Sequence, residues 1–413
     1  MALDYTHDPQ ARSWVNSAQA PGCDFPIQNL PYGVFARIGS HEPPRGGVAI
    51  GDQVLDLARL AAAKVLDAEA QVACEVAARE SLNDFMGLGL PAWRVLRRAL
   101  FRALSADAPA KTQDALRGCC LAPMAQAEMK LPVVVRNYTD FYTSVYHAEN
   151  VGRVLRPDDP LTRNFKWLPI AYHGRASSVV PSGTAYHRPM GQAMPPGQSQ
   201  PVYGPCRRLD FELEMGFFVG AETVLGQPIP IAEARERIFG MCLLNDWSAR
   251  DQQFWEMSPL GPFLGKNFCT SISPWVVTME ALEPYRVPFE RGADEPQPLA
   301  YLDDPVERAS GSLDVRLEVL LQSATARGKG LPGDRITATS FRHQYWTIGQ
   351  MLTHHTVGGC NVLSGDLMGT GTISGPTQAE AGAIVELSAG GTRDVPLPST
   401  GEVRRFLEDG DAV

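Results

Sequence analysis

The chain has 413 residues, of which 44% are hydrophobic and 20% charged, and its formal net charge is −9. This composition is that of a globular protein, and the length favours two or three domains over a single core. The acidic balance and the lack of a long basic run exclude nucleic acid as an expected partner.

No apolar stretch approaches the roughly 20 residues of a membrane span, so no membrane association is expected. Eight cysteines are scattered without a C-x-x-C pair, which fits a reducing compartment and argues against a zinc–thiolate site. Residues 1–20 hold several charges and no apolar core, so no signal peptide is expected. We therefore expect a cytoplasmic protein.

Short strands come first along the chain, and a helical segment follows them. Residues 34–38 and 46–51 are apolar runs bounded by glycine and other turn residues, which predicts strands. Residues 56–104 are rich in Ala, Leu, Glu and Arg, and their apolar positions recur at helical spacing, as at Leu96 and Leu100. This segment is therefore predicted to be helical.

A change in composition marks the predicted domain boundary. Residues 105–111 are predicted to form a loop and the apolar run 131–135 to form a strand. The boundary is placed near residues 121–128, which divides the chain into domains over 1–122 and 123–413.

The second domain is predicted to consist mostly of strands, turns and long loops. Residues 180–203 carry many Pro, Gly and Ser residues and are predicted to form an ordered surface excursion. Short helices are predicted over residues 231–237 and 344–355. Candidate catalytic residues fall almost entirely in this half of the chain.

Residues 209–215 alternate strictly between apolar and polar side chains, which predicts a strand. One face would carry the apolar set, Leu209, Phe211, Leu213 and Met215. The other face would carry Asp210, Glu212 and Glu214. Two carboxylates about 4 Å apart repel by roughly 4 kcal/mol at an effective dielectric near 20. A protein tolerates such a face if it is solvated, if a proton is shared or if a cation lies between the acids, and this strand alone favours the solvated interpretation.

Two further acids change that balance. Asp140 lies among aromatic residues, and Asp246 directly follows an apolar strand. Acids within apolar sequence require a reason. Four oxygen donors with no nearby Cys or His suit a hard cation, Mg²⁺ or Ca²⁺. The candidate metal ligands are Asp140, Glu212, Glu214 and Asp246.

Several motifs of the chain resemble the fumarylacetoacetase family. They include YHGRASS at 172–178, RPMGQ at 188–192, NDWSARD at 245–251, PLGPFLGK at 259–266 and GTISG at 371–375, together with residues 137–156, 209–215 and 352–355. The resemblance runs from about residue 30 to the end. It is most specific after residue 136, where motif order and spacing both match.

The resemblance implies a mainly β fold with some α. An N-terminal SH3-like small barrel with a helical segment would occupy residues 1–122, and a catalytic domain of rolled mixed β-sheet would occupy residues 123–413. It also implies a homodimer. The implied reaction is metal-dependent hydrolysis of a carbon–carbon bond in 4-fumarylacetoacetate, giving fumarate and acetoacetate in the last step of tyrosine and phenylalanine catabolism.

By the same resemblance, the four acids fall on the metal ligands of the family, His147 on its general base and Glu386 on the acid that orients this base. A neutral histidine can take a proton from water, and a carboxylate behind it fixes the tautomer. The groups around the reacting oxygens would be Arg250, Gln253 and Lys266. Arginine offers two parallel hydrogen bonds to carboxylate or enolate oxygens.

Substrate-binding positions of the family correspond to Tyr142, Arg156, Tyr172 and Thr372. Met257 stands where vertebrate members have a substrate-contacting tyrosine, and it is expected to line the pocket. Asn137 replaces the usual acid before Tyr138. The chain stops at Val413, whereas the family normally continues into a further glycine-rich strand pair.

Two alternative functions remain open. A related enzyme, such as an acylpyruvate hydrolase or an oxaloacetate decarboxylase, would share the metal carboxylates, but the N-terminal domain and the His147 motif favour fumarylacetoacetate. A metal-stabilised binding protein without activity would be expected to lack one or more catalytic residues, whereas every proposed catalytic position is filled. The expected partner is thus a small diketo acid.

Overall fold

The computed structural model describes residues 3–289 and 291–413. The N-terminal part contains an antiparallel five-stranded sheet in the order β4-β3-β2-β1-β5. Its strands are β1 (Tyr32–Arg37), β2 (Arg45–Ile50), β3 (Gln53–Asp56), β4 (Leu121–Pro123) and β5 (Ala127–Lys130). The two strands predicted here are confirmed, while the SH3-like character of the sheet stays a prediction.

Helices between β3 and β4 confirm the predicted helical segment. They are α1 (Leu57–Ala63), α2 (Ala68–Ala77), α3 (Asn83–Gly87) and α4 (Leu90–Leu104), followed by α5 (Ala110–Cys119). Leu96, Leu100 and Leu104 are all buried, as helical spacing of apolar residues predicts. Helix α5 was not predicted, and the predicted loop over 105–111 gives way to it at Ala110.

The strand predicted over residues 131–135 is wrong, because this apolar run is irregular. Its backbone is paired by other means. The side chain of Asn83 accepts the Val134 N–H at 2.8 Å and donates to the Val134 carbonyl at 3.0 Å. The Leu82 N–H donates to the carbonyl of Pro132, which itself has no N–H to give to a sheet. Periodicity cannot reveal such a side-chain substitute for a neighbouring strand.

The two halves of the chain share one core. The rings of Trp93 and Phe239 meet edge to face with centroids 5.1 Å apart, and Tyr32 exchanges two backbone hydrogen bonds with Val276. A Cβ at Gly220 would lie 2.3 Å from the Trp93 ring, so only glycine allows this approach. The predicted division between residues 122 and 123 falls within β4 and stays a prediction.

Strands of the second half form a mixed eight-stranded sheet and several hairpins. They are β6 (Tyr138–Tyr142), β7 (Ile170–Gly174), β8 (Val179–Pro181), β9 (Met190–Ala193), β10 (Val202–Pro205), β11 (Leu209–Asp210), β12 (Leu213–Val219), β13 (Ile238–Asp246), β14 (Ser248–Ala249), β15 (Thr270–Ile272), β16 (Val277–Thr278), β17 (Arg286–Val287), β18 (Ser312–Leu313), β19 (Arg316–Leu321), β20 (Asp334–Ser340), β21 (Leu367–Gly369), β22 (Val395–Leu397) and β23 (Glu402–Arg404). The large sheet has the order β7-β6-β21-β12-β13-β15-β8, with β16 beside β13. The predicted excursion over 180–203 contains β9, which pairs with β10.

Helices of this half are short and lie around the sheet. They are α6 (Val145–Leu155), α7 (Ile231–Arg237), α8 (Arg250–Glu256), α9 (Pro305–Ser310), α10 (Ala324–Gly328), α11 (Ile348–Thr356) and α12 (Ile384–Leu387). Helix α7 matches its prediction. Helix α11 begins later than predicted, because Thr347 and Gln350 form a capping box at its N-terminus. Within the described residues, no helix is long and apolar enough to cross a membrane.

The strand predicted over 209–215 is interrupted. Strand β11 pairs with β14, β12 pairs with β13 and β21, and Phe211 belongs to neither. The cause is Glu212, which bridges Ala383 and whose N–H donates to the Asn245 side chain at 3.0 Å. The predicted apolar face is nevertheless confirmed, since its four side chains are buried in one core.

Candidate active site

Three strands of the large sheet carry three of the four predicted ligand acids. Strand β6 carries Asp140, β12 carries Glu214, and β13 ends at Asp246. Strand β21 lies between β6 and β12, and it meets them at Gly369. A Cβ there would lie 2.4 Å from Oδ1 of Asp140 and 3.0 Å from Oε2 of Glu214. Only glycine at this position lets the carboxylates approach each other.

The acids form a buried cluster. Oxygens of Asp140, Glu212 and Asp246 all lie within 4.8 Å of one another. Glu214 lies beside this group and accepts the Gly371 N–H at 3.0 Å. Burial, reinforced by neighbouring carboxylates, raises the pKa values of Asp140 and Glu214 well above their ordinary values. The cluster thus carries more negative charge than its own surroundings compensate.

Lys266 supplies part of the missing positive charge. Its Nζ donates to Oδ2 of Asp246 at 2.8 Å and to Oε2 of Glu212. Burial opposes ionisation, but Lys266 and Arg250 together hold the pKa of Glu212 below its ordinary value. The same carboxylates raise the pKa of Lys266, although burial alone would lower it. Lys266 is therefore a fixed ammonium within the cluster.

The cluster fits a hard divalent cation. Oδ1 of Asp140 and Oε1 of Glu214 are buried and have no hydrogen-bond partner among the described residues. Orphaned carboxylate oxygens are costly unless a cation satisfies them. The donor set is entirely oxygen, which suits Mg²⁺ or Ca²⁺ rather than a thiolate-binding metal. These acids therefore form a candidate metal site.

A second pair of residues lies beside the cluster. Nδ1 of His147 is 2.7 Å from Oε2 of Glu386, and both side chains are buried. Burial would raise the pKa of Glu386, but its interaction with His147 holds that pKa below its ordinary value. Because an ionised carboxylate only accepts, Nδ1 of His147 donates to it, and in the neutral imidazole Nε2 is then an acceptor. This is the tautomer that a general base requires.

Two residues that hold Glu386 were missed by the sequence analysis. Nδ2 of Asn150 donates to Oε1 of Glu386 at 2.9 Å, and Oγ of Ser374 lies 2.9 and 3.0 Å from its two oxygens. Asn150 follows His147 by three positions on α6, so both side chains lie on one helix face. The three-residue spacing from His147 could have identified Asn150 from the sequence. The contact between Ser374 and Glu386, in contrast, depends on the tertiary fold.

Arg250 is fixed at three points. Its Nε donates to Asp210 at 2.7 Å, and its Nη1 contacts Glu212 at 2.8 Å and Oε1 of Gln253 at 3.1 Å. Its Nη2 is buried and has no partner among the described residues. One guanidinium nitrogen is thus free to donate to a bound molecule. Asp210, which appeared in sequence only as part of an acidic face, is a partner of this arginine.

A cavity of about 310 Å³ opens onto these groups. It is lined by the predicted metal ligands Asp140, Glu212 and Glu214, the predicted catalytic residues His147, Arg250, Gln253 and Lys266, and the predicted substrate positions Tyr142, Arg156, Tyr172, Met257 and Thr372. Asp246 lies behind Lys266 and does not line the cavity. Glu386 likewise lies behind His147. The fold therefore gathers every predicted site residue at one place.

The substrate positions differ in how they are held. The Tyr172 hydroxyl donates to Asp246 at 2.7 Å, so it is tied to the carboxylate cluster. The Tyr142 ring meets His147 edge to face, with centroids 5.4 Å apart. Arg156 is exposed at the rim and donates to the Pro160 carbonyl at 3.0 Å, but no carboxylate of the described chain pairs with it. Met257 directly follows the last residue of α8 and contributes to the apolar wall of the cavity.

The fold and the site define a class of β-rich enzymes in which a buried carboxylate cluster adjoins a histidine–glutamate pair. Residues 136–413 match the family described as "Fumarylacetoacetate (FAA) hydrolase C-terminal", and residues 28–132 match "Fumarylacetoacetase N-terminal". The chain therefore belongs to the fumarylacetoacetase family.

Relatives with this name resemble almost the whole chain. A fumarylacetoacetase of Oryza sativa is 48% identical over 406 residues, covering 97% of this chain and 92% of the relative. That of Homo sapiens is also 48% identical, covering 95% and 92%. Among solved structures, fumarylacetoacetate hydrolase of the psychrophile Exiguobacterium antarcticum aligns with a TM-score of 0.48 at 15% identity, covering 92% of this chain and 93% of that one.

Proposed function

We propose that this chain hydrolyses 4-fumarylacetoacetate to fumarate and acetoacetate. The observation that carries the proposal is the position of the His147–Glu386 pair beside a cavity lined by buried carboxylates. Near-full-length similarity to proteins named fumarylacetoacetase supports the choice of substrate.

The proposed reaction starts from water bound in the cavity. His147 takes a proton from this water at Nε2 while the resulting hydroxide adds to the ketone carbon, and Glu386 stabilises the imidazolium that forms. The carbon–carbon bond then breaks, and the electron pair stays with the departing acetoacetate carbanion. That carbanion takes up the proton held by His147, so the histidine returns to its neutral form, one water is consumed and two acids are released.

Positive groups around the cavity suit the charge that develops. The free Nη2 of Arg250 and the ammonium of Lys266 can donate to oxygens that become negative as the reaction proceeds. Gln253 orients Arg250 through its Oε1. We assign capture of a terminal substrate carboxylate to Arg156, because its guanidinium has no acid partner within the described chain. The remainder of the substrate would contact the side chains of Tyr142, Tyr172, Thr372 and Met257.

Asp140, Glu212, Glu214 and Asp246 would hold Mg²⁺ or Ca²⁺. A bound divalent cation would polarise the ketone oxygens of the substrate and offset enolate charge. The orphaned oxygens of Asp140 and Glu214 support this assignment.

We further propose a cytoplasmic homodimer. The eight cysteines form no disulfide in the described chain, which suits a reducing compartment. Large apolar side chains are exposed around α8 and the β9–β10 hairpin, including Tyr203 at 75%, Leu260 at 96% and Phe263 at 67%. Exposed apolar surface of this kind is typical of protein contacts. Sedimentation velocity would give the mass of a dimer, and a monomer at micromolar concentration would refute it.

The functional test is loss of fumarylacetoacetate, followed together with release of fumarate. We expect hydrolysis by the cation-loaded protein, loss of activity with chelator and recovery on adding Mg²⁺ or Ca²⁺. Acylpyruvate and oxaloacetate serve as comparison substrates. Faster turnover of either one would move the assignment to a related hydrolase or decarboxylase, and no turnover of any would indicate a binding protein.

A further inference from the structure

Asp210 touches two parts of the active site at once. Its Oδ2 accepts Nε of Arg250 at 2.7 Å and the Val385 N–H at 3.1 Å, while its Oδ1 accepts the Ile384 N–H at 2.7 Å. The side chain is fully buried. Ile384 and Val385 are the first residues of α12, the single turn that carries Glu386.

The backbone around this carboxylate is paired along the same line. Leu213 donates its N–H to the Gly382 carbonyl at 2.9 Å, and Glu212 forms a β-bridge with Ala383. Residues 210–213 and 382–386 therefore run side by side. Asp210 holds the end of this pairing, where the backbone of α12 turns away from the strand direction.

The same carboxylate decides the orientation of Arg250. Because Asp210 takes Nε, and Glu212 and Gln253 take Nη1, Nη2 is the nitrogen left without a partner. Asp210 itself does not line the cavity, and it is not among the clustered ligand acids. Its influence on a substrate must therefore pass through other residues.

We propose that Asp210 is a positioning residue that fixes Arg250 and the Glu386-bearing turn in one geometry. The inference rests on the proposed function and adds a residue to it. A carboxylate is suited to this role because it accepts three hydrogen bonds from a guanidinium and two amides without donating any. Small displacements at this point would move the oxyanion donor and the His147 partner together.

The variant Asp210→Asn retains shape but turns one acceptor into a donor, which must face Arg250 or a backbone N–H. We expect kcat for fumarylacetoacetate to fall by roughly 10²-fold, as displacement of catalytic groups by about 1 Å can do. KM should stay nearly constant, because Asp210 makes no cavity contact. Titration of the protein with Mg²⁺ alone should show unchanged affinity, since the four ligand acids are intact.

Asp56 provides a matched control. It is also fully buried, accepts Nε of Arg45 at 2.9 Å and caps α1 by accepting the Arg59 N–H at 3.2 Å, but it belongs to the N-terminal sheet. Asp56→Asn should lower thermal stability and leave kcat unchanged. A general loss of stability cannot then explain a loss of kcat confined to Asp210→Asn.

Double mutants test the route of the effect. Asp210→Asn should reduce kcat by a smaller factor in the Arg250→Lys background than in the wild type, and the same should hold in the Glu386→Gln background. The reason is that the effects of residues that act as one unit are non-additive. The proposal would be overturned if Asp210→Asn reduced kcat by the same factor in both backgrounds as in the wild type, or if Asp210→Asn alone kept full kcat. Asp210→Ser provides a smaller acceptor if the asparagine variant does not fold. If neither folds while Asp56→Asn does, Asp210 serves stability alone and the proposal fails.

The activity of the wild type distinguishes failure of the proposed function from failure of the role assigned to Asp210. A cation-loaded wild type without activity on fumarylacetoacetate would refute the proposed function and the role of Asp210 that rests on it. An active wild type with an equally active Asp210→Asn would refute the role of Asp210 alone.

Discussion

Nδ1 of His147 lies 2.7 Å from Oε2 of Glu386, although 239 residues separate them in the chain. Asn150 and Ser374 hold the other face of the same carboxylate. The carboxylate is thus held by three side chains, and it in turn holds Nδ1 of the histidine ring. This pair supports the first prediction.

His147→Ala should lower kcat by about 10²- to 10⁴-fold, the usual contribution of general acid–base catalysis. Glu386→Gln keeps the shape of the side chain but can select the wrong histidine tautomer, so this variant should also lose much of its kcat. The double mutant should be little worse than His147→Ala, because the two residues act as one unit. Steady-state kinetics with fumarylacetoacetate measure all three.

Cation content provides the check on these variants. It should be unchanged in each, because the four proposed ligand acids are intact. His354→Ala is a suitable control, since His354 bonds to the Tyr301 hydroxyl at 2.9 Å and does not line the cavity. Losses that multiply in the double mutant would mean that His147 and Glu386 act separately.

Asp246→Ala and Glu214→Ala should each abolish divalent-cation binding, because each removes a carboxylate from a four-acid site. Calorimetric titration of the protein with Mg²⁺ or Ca²⁺ measures this directly. Glu307→Ala is the matched control, since Glu307 is a buried acid paired with Arg235 outside the cluster. Full activity of a chelated, metal-free sample would contradict metal dependence.

Arg156→Ala should raise KM for fumarylacetoacetate by about 10- to 100-fold, because a hydrogen bond to a charged group is worth about 1.5–3 kcal/mol. The effect on kcat should be smaller, since Arg156 is exposed and is assigned to the terminal carboxylate of the substrate, not to the reacting atoms. Arg102→Ala is the control, because Arg102 is exposed, lies on α4 and pairs with Asp67. Equal KM values for both variants would remove Arg156 from substrate binding.

His355 should make stability fall as the solution becomes acidic. Burial, followed by the neighbouring His173 and His354, lowers the pKa of His355 from 6.5 to about 4. The unfolded chain therefore binds more protons than the folded chain between these two pH values, and stability is lost as pH falls through that window. Its Nε2 contacts the hydroxyl of Thr139, next to Asp140, at 2.9 Å.

Urea unfolding at pH 7 and pH 5 measures this loss. His355→Gln cannot titrate, so its free energy of unfolding should change less between the two pH values than that of the wild type. His41→Gln, at an exposed position, should behave as the wild type does. An unchanged pH dependence in His355→Gln would show that other groups control acid sensitivity.

The residue pattern alone indicated a site for a hard cation, but not the reaction that takes place there. Acids embedded in apolar sequence around Asp140 and Asp246 indicated a hard cation, because burial of uncompensated carboxylates requires one. Helical spacing placed the apolar face of α4, and strict alternation separated the apolar side of residues 209–215 from the acidic side, although both sides are buried. The roles of His147 and Glu386 came from family motifs, since nothing in their local sequence connects them.

Only the tertiary structure decided how these residues meet. Phe211 interrupts the predicted strand because Glu212 pairs with Ala383, a residue 171 positions further along the chain. The side chain of Asn83 pairs with the backbone of Val134, where a neighbouring strand would otherwise do so. Asp210, Ser374 and Gly369 gain their significance from neighbours distant in sequence. Periodicity reports which side of an element is buried, but hydrogen bonds between distant segments depend on how the whole chain folds, and a local pattern carries no record of them.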